Sequence, residues 1–300
     1  LTLAGIGLFS GIYHPTGLGL ISREIKRVSL GMGYNGIFGN LGLAIAPLIT
    51  GMMNWLWGPQ VAYLFLAAMN LFGLLLMFLL PLSEAKKERE ANSGGGNGLL
   101  GAFLILLVAM MLGGIAYRGS SVIIPAYFEL KNLVIFQWFL SIMGEGLSKN
   151  FVAATVTSFI FLIGMLGQYT GGRVAEKYNP EFCYLVFHAT TVPAAFLMAM
   201  AIDLPLIILA TVYFFFLLGM QPIENTLVAR LTPRRFHHSA YGAKFVLTFG
   251  VGALSVKMIK VIKTAFDIDT VFVALGMVSL AIVGVIGLLL IRTRNVKLAF

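Results

Sequence analysis

A chain of 300 residues that is 59% hydrophobic and 11% charged is no ordinary globular domain, in which charged residues make up roughly a quarter. The net charge of +9 does not indicate nucleic acid, because the basic residues sit in short stretches between apolar runs, as the positive-inside rule requires. The single cysteine, Cys183, excludes a disulfide framework and a cysteine-based metal site.

With a mean hydropathy of +0.91, the chain reads as an all-α, polytopic membrane protein, multi-pass in a cell membrane (the cytoplasmic membrane if bacterial). A spanning helix needs about 20 mostly apolar residues. Nine stretches qualify: 1–21, 30–53, 60–81, 99–127, 150–170, 181–201, 204–228, 240–263 and 269–291. Leu133–Met143 is apolar but too short to span, and with Trp138 it is expected along the outer interface or as an extension of a neighbouring helix. The one long polar stretch, Ser83–Gly98, carries a charge run followed by Ser, Gly and Asn, and reads as a flexible connector.

Fifteen of the 21 Lys and Arg residues fall at 22–29, 82–98, 171–180, 229–239, Lys244 and 292–297. These are assigned to the cytoplasmic side. The chain also repeats itself: Pro15 and Pro222, Tyr34 and Tyr241, and Phe38 and Phe245 are each 207 positions apart. That offset implies two parallel six-helix halves. Applied to residue 99, it implies about three helices upstream of Leu1, so the chain is expected to be a fragment.

The second apolar segment has glycine at 33, 36, 39 and 42. Glycine weakens a helix in water, whereas in a bilayer small residues let helix backbones approach closely. Gly33, Gly42, Ala46, Pro47, Thr50 and Gly51 follow the spacing G-x8-G-x3-G-P-x2-G-G, with Ala46 and Thr50 in place of glycines. This resembles the fifth-helix motif of antiporters in the major facilitator superfamily. Tyr13-His14-Pro15-Thr16-Gly17 resembles the fourth helix of its fosmidomycin-resistance-like branch. Gly172-Arg173-Val174-Ala175-Glu176-Lys177 is similar to the superfamily's G-x-L-A-D-R loop motif, with Glu for Asp and Lys for Arg. That motif acts as a charge latch at the closed cytoplasmic side. Here Tyr178-Asn179-Pro180 replaces its usual basic end.

The resemblance implies a major facilitator fold with about nine of twelve helices present. Residues 1–82 would be helices four to six, 83–98 a cytoplasmic linker, and 99–300 helices seven to twelve. It implies that helices four, seven and ten line a central cavity. His14 lies nine residues before Arg23, and Gln221 nine before Arg230, about 13 Å of helix in each case. Both reach the membrane midplane as repeat mates, each followed by a proline able to open its helix. His14 is a natural proton carrier or a neutral, hydrogen-bonded histidine.

Tyr117 and Arg118 sit towards the outer side, where Arg118 attracts an anion or snorkels to headgroups. Glu224 is a titrating carboxylate or, as the favoured reading, a partner of cytoplasmic arginines such as Arg173 or Arg230; Asn225 belongs with either. Asn35, Asn40, Gln168 and Tyr169 are read as interhelical hydrogen-bonding groups. Lys257, Lys260 and Lys263 form an interfacial rim or an attraction for anions. His237 and His238 lack partners at metal spacing, and no phosphate-binding loop is present.

The reading is a secondary transporter rather than an enzyme, without metal or cofactor, whose partners are a small molecule, protons and the bilayer; it is expected to be a monomer. Proton-coupled efflux of a small molecule or drug is favoured. Coupled uptake of a small organic anion, or a non-transporting receptor or assembly factor on the same fold, are the alternatives.

Overall fold

The computed structural model describes residues 2–79, 97–144 and 147–294. Most of the expected linker, up to residue 96, lies outside the described residues. Within them all regular structure is helical: α1 (Thr2–Glu24), α2 (Val28–Trp57), α3 (Pro59–Leu79), α4 (Asn97–Lys131), α5 (Leu133–Met143), α6 (Lys149–Lys177), α7 (Pro180–Met198), α8 (Asp203–Leu231), a 3-10 turn (Arg234–Phe236), α9 (His237–Ala265) and α10 (Asp269–Thr293). In hydrocarbon no water satisfies backbone polar groups, so each crossing segment must bond within itself. Seven of the described helices are long and apolar enough to cross a membrane. The protein is a multi-pass integral membrane protein.

The nine expected spans correspond to α1–α4 and α6–α10, and α5 is the separate short helix. The helices overrun the apolar windows. α6 continues to Lys177, so the motif from Gly172 to Lys177 forms the last turns of a helix and not a loop. Backbone bonding carries on through polar residues until Asn179, whose side chain accepts from Phe182 N at 2.8 Å and caps α7 ahead of Pro180. α1 and α8 run unbroken through Pro15 and Pro222, contrary to the expectation that proline opens them. A proline removes one bond, and the neighbouring helices hold the rest in place.

α8 is the centre of the packing. It is buried from Leu217 to Val228 except for half-buried Gln221, and it packs on α6, α7 and α4. α10 closes the outside of α7 and α4, and α9 lies on α4. α2 packs on α6 and α1 on α9, while α3 packs chiefly on α2. The α6–α8 crossing is backbone to backbone. A Cβ at Gly171 would stand 1.8 Å from the Gly219 carbonyl oxygen, a seam the sequence reading missed although Gly164, Gly167 and Gly171 share one helix.

α5 buries none of its residues. Its first turn is tied down by Asp203, whose Oδ1 accepts from Val134 N (2.8 Å) and Ile135 N (3.2 Å). Asp203 itself holds a positive φ of 50°, a conformation Asp tolerates better than most residues.

Candidate functional site

The helical hairpin of α8 and α9 turns at the basic stretch 232–236, and residues equally far from the turn on either helix lie at one depth. Glu224 is seven residues before the end of α8 and Lys244 seven after the start of α9. They meet: Lys244 Nζ is 2.5 Å from Glu224 Oε1, with the side chains 5% and 6% exposed. Tyr184 on α7 donates to Glu224 Oε2 at 3.0 Å. Lys244 also donates to Asn225 Oδ1, and the Tyr241 hydroxyl donates to the Asn225 carbonyl at 2.7 Å. A buried charge needs a counter-charge and further hydrogen bonds: Glu224 has the Tyr184 donor beside its lysine, and Lys244 has the Asn225 acceptor beside its carboxylate.

This corrects two expectations. Glu224 does not pair with Arg173 or Arg230. Arg230 is six residues further along α8, about 120° around the helix, and Arg173 is exposed on α6 with Nη1 3.5 Å from the Tyr169 hydroxyl. Lys244 was counted with the cytoplasmic loops but is buried inside α9.

Beside this cluster runs the seam between α1–α2 and α6–α9. His14 stacks on Phe245 of α9, with centroids 4.8 Å apart and planes at 25°, and meets Phe249 edge-on at 6.1 Å. The other side of the cluster reaches the same ring, since Lys244 Nζ lies 5.2 Å from the Phe245 centroid. Tyr13, exposed, touches His14 edge-on at 5.2 Å.

Towards the basic ends, Ser22 Oγ is 2.8 Å from His237 Nδ1, and His237 Nε2 reaches the carbonyls of Ala229 and Thr232, each at 3.1 Å. Arg23 Nη1 is 3.4 Å from His238 Nε2. Arg27 Nε donates to Glu176 Oε1 at 3.4 Å. A Cβ at Gly172 would stand 2.7 Å from the Ser29 carbonyl oxygen and 3.1 Å from Gly33 Cα, so α2 and α6 touch through backbone. The role of His237 and His238 in this seam was missed. Polar side chains immediately after a basic loop on a repeat-related helix were the available signal.

Gln221 does not join His14. Its Oε1 accepts from Gln168 Nε2 of α6 at 2.8 Å, and the Gln168 side chain occupies the space beside Gly36. Tyr117 is half-buried and Arg118 exposed. The helix next to Arg118 is marked by Gly252 of α9, where an added Cβ would lie 3.6 Å from Arg118 Cβ. Of the α2 glycines, Gly33 and Gly36 meet α6, while Gly39 and Gly42 have nothing within 4 Å among the described residues. Pro47 and Gly51 lie further along the same helix. Asn40 is buried with Nδ2 unbonded among the described residues, and Lys257, Lys260 and Lys263 are exposed.

Long apolar helices packed through glycine enclose a paired carboxylate and ammonium, an arrangement that suits a secondary membrane transporter. The chain belongs to the major facilitator superfamily: the family model of that description matches residues 1–256. Among solved structures it is similar to a variant of the E. coli fucose:proton symporter FucP, with a TM-score of 0.64, 13% identity, and coverage of 92% of this chain and 73% of that one. It is also similar to FucP in the outward conformation, with a TM-score of 0.54, 15% identity, and coverage of 77% and 55% respectively. No curated protein sequence matches the chain.

Proposed function

We propose that this chain carries the coupling machinery of a proton-driven exporter of a small, partly hydrophobic molecule, standing with its cytoplasmic side closed. The observation that carries the reading is the buried Glu224–Lys244 pair, whose lysine shares the Phe245 ring with His14. Intramembrane ionisable groups are expensive and mark ion pathways by default. On this reading residues 1–82 and 99–300 belong to two halves that rock about a midplane site.

A proton on Glu224 cancels the ion pair and leaves Lys244 unbalanced. A proton on His14 sets a second cation beside Lys244, and like charges repel strongly in low dielectric. Either event weakens the packing of α1 on α9 and frees the seam at Ser22, Arg27 and Gly33 to open. The amides of Gln168 and Gln221 offer hydrogen bonds to the cargo, and Tyr117 and Arg118 stand on the outer path. Resemblance of α2 to the antiporter motif favours export over uptake.

The test uses cells carrying the intact protein and a panel of toxic dyes and drugs. Export predicts tolerance to at least one compound, lost when an uncoupler collapses the proton gradient and lost in His14→Ala with the protein still in the membrane. Tolerance that survives the uncoupler sinks proton coupling.

A second reading, uptake with protons, is favoured by the Gln168–Gln221 amide pair, which suits a hydroxyl-rich ligand, and by the structural likeness to a fucose:proton symporter. Labelled fucose accumulating in proteoliposomes under an inward proton gradient would establish it in place of export.

A further inference from the structure

The start of α7 and the ends of α8 and α10, the last two bearing Arg230 and Arg294, enclose a cleft of about 650 Å³. Asn179, Glu181 and Phe182 come from the start of α7, Arg230 from the end of α8, and Ile291, Thr293 and Arg294 from the end of α10. Glu181 is fully buried, yet among the described residues neither of its carboxylate oxygens has a hydrogen-bond partner. Arg230 is within electrostatic range of it, as it is of Glu176, yet no donor among the described residues bonds either Glu181 oxygen. A desolvated carboxylate lacking donors is costly, so the cleft is built for a ligand that brings them. The outer lip is apolar and open: Phe182 is 57% exposed and Ile291 74%. Arg294 is also exposed there.

We propose that this cleft binds an aminophospholipid from the cytoplasmic leaflet, with its primary ammonium on Glu181, its phosphate towards Arg230 and Arg294, and its acyl chains over Phe182 and Ile291. A primary ammonium supplies three N–H donors and fits a carboxylate with two unbonded oxygens. A choline headgroup has no N–H to give, and a glycerol headgroup brings no positive charge. Guanidinium groups are suited to phosphate, and basic pockets between helices at the cytoplasmic face take lipid headgroups. The cargo and its direction of travel do not enter this argument, so its failure leaves the transport reading untouched.

The test uses the intact protein, delipidated in detergent and offered phosphatidylethanolamine, phosphatidylcholine or phosphatidylglycerol of identical chains, with bound lipid counted by native mass spectrometry. Phosphatidylethanolamine is expected to be retained roughly tenfold over phosphatidylcholine, the scale of one charge-assisted hydrogen-bonded contact. Glu181→Gln should erase that preference, and Arg294→Gln should lower retention of all three lipids alike. Equal retention of the ethanolamine and choline lipids by the unaltered protein overturns the proposal, and that comparison needs no variant to fold. So does phosphatidylglycerol bound as well as phosphatidylethanolamine, which would mean that the arginines alone select. Soluble phosphoethanolamine competing as well as the lipid would make the cleft a site for a free metabolite and overturn the lipid assignment.

Discussion

Replacing Lys244 by Met keeps the length and packing of the side chain and removes only its charge and donors. In the structure this strips Glu224 of its counter-ion while leaving it the Tyr184 hydroxyl at 3.0 Å. Both members of the pair are about one-twentieth exposed, so solvent screening, which reduces surface pairs to 0–1 kcal/mol or so, does not apply. Breaking a buried pair from one side costs about 3–5 kcal/mol. For a chain of this size that corresponds to a fall in Tm of roughly 6–10 °C. Glu224→Gln should cost a comparable amount by stranding the ammonium.

The pair is distinguished from two unrelated losses by the double variant Glu224→Gln/Lys244→Met. With both charges gone there is no stranded ion, and stability should return to within about 2 kcal/mol of the parent. The assay is thermal unfolding of the purified protein in detergent, followed by fluorescence, in a complete double-mutant cycle. Strictly additive effects, or a Lys244→Met protein that melts with the parent, would refute the pairing as a source of stability.

Two further outcomes follow from the geometry. Gly172→Ala places a methyl 2.7 Å from the Ser29 carbonyl oxygen, against backbone that cannot rotate away, and overpacking of this kind costs about 1–3 kcal/mol. In a Cys183→Ala background carrying Ser29→Cys, thiol labelling at position 29 should speed up with Gly172→Ala and stay unchanged with Gly39→Ala, which meets nothing within 4 Å; equal labelling in all three would remove the seam from the gating account. Outside the spans, Asp267 accepts from the hydroxyl and the backbone N–H of Thr270, which holds its carboxyl below the ordinary 3.8. A depressed folded-state value contributes stability above the unfolded value and loses it as pH falls through the folded one. Asp267→Ala should therefore melt earlier than the parent at pH 6, and the two curves should converge as pH drops below 3.8; a constant gap down to that range would contradict the assignment.

Hydropathy made the helices legible because a bilayer allows few alternatives to a helix, and the short length of Leu133–Met143 correctly separated α5 from the spans. Helix ends were not legible. Gly172 to Lys177 is polar, so it read as loop, yet a helix projecting past the hydrocarbon keeps its bonding until a residue such as Asn179 caps the next one. The charged centre was half legible. Glu224 stood out as an intramembrane carboxylate, but its partner was sought along the chain among arginines, while the true partner sits across a hairpin. Equal distance from the turn singles out Lys244, and counting that lysine with the loops hid it. The place of His14 on its helix was legible in the sequence but its neighbour was not, because stacking on Phe245 depends on how α1 leans on α9, which no local pattern encodes.

The two adjacent glycines near the end of α6 answer to different masters. Gly171 abuts Gly219 within the set of helices around α8, and Gly172, a hundred degrees around the same turn, abuts Ser29 and Gly33 of α2. If the two halves rock as proposed, one contact is a weld and the other a clutch face: the first must never part, the second must part in every cycle. A side chain at 171 should therefore be felt in how much protein survives, and one at 172 in how fast the survivors turn over.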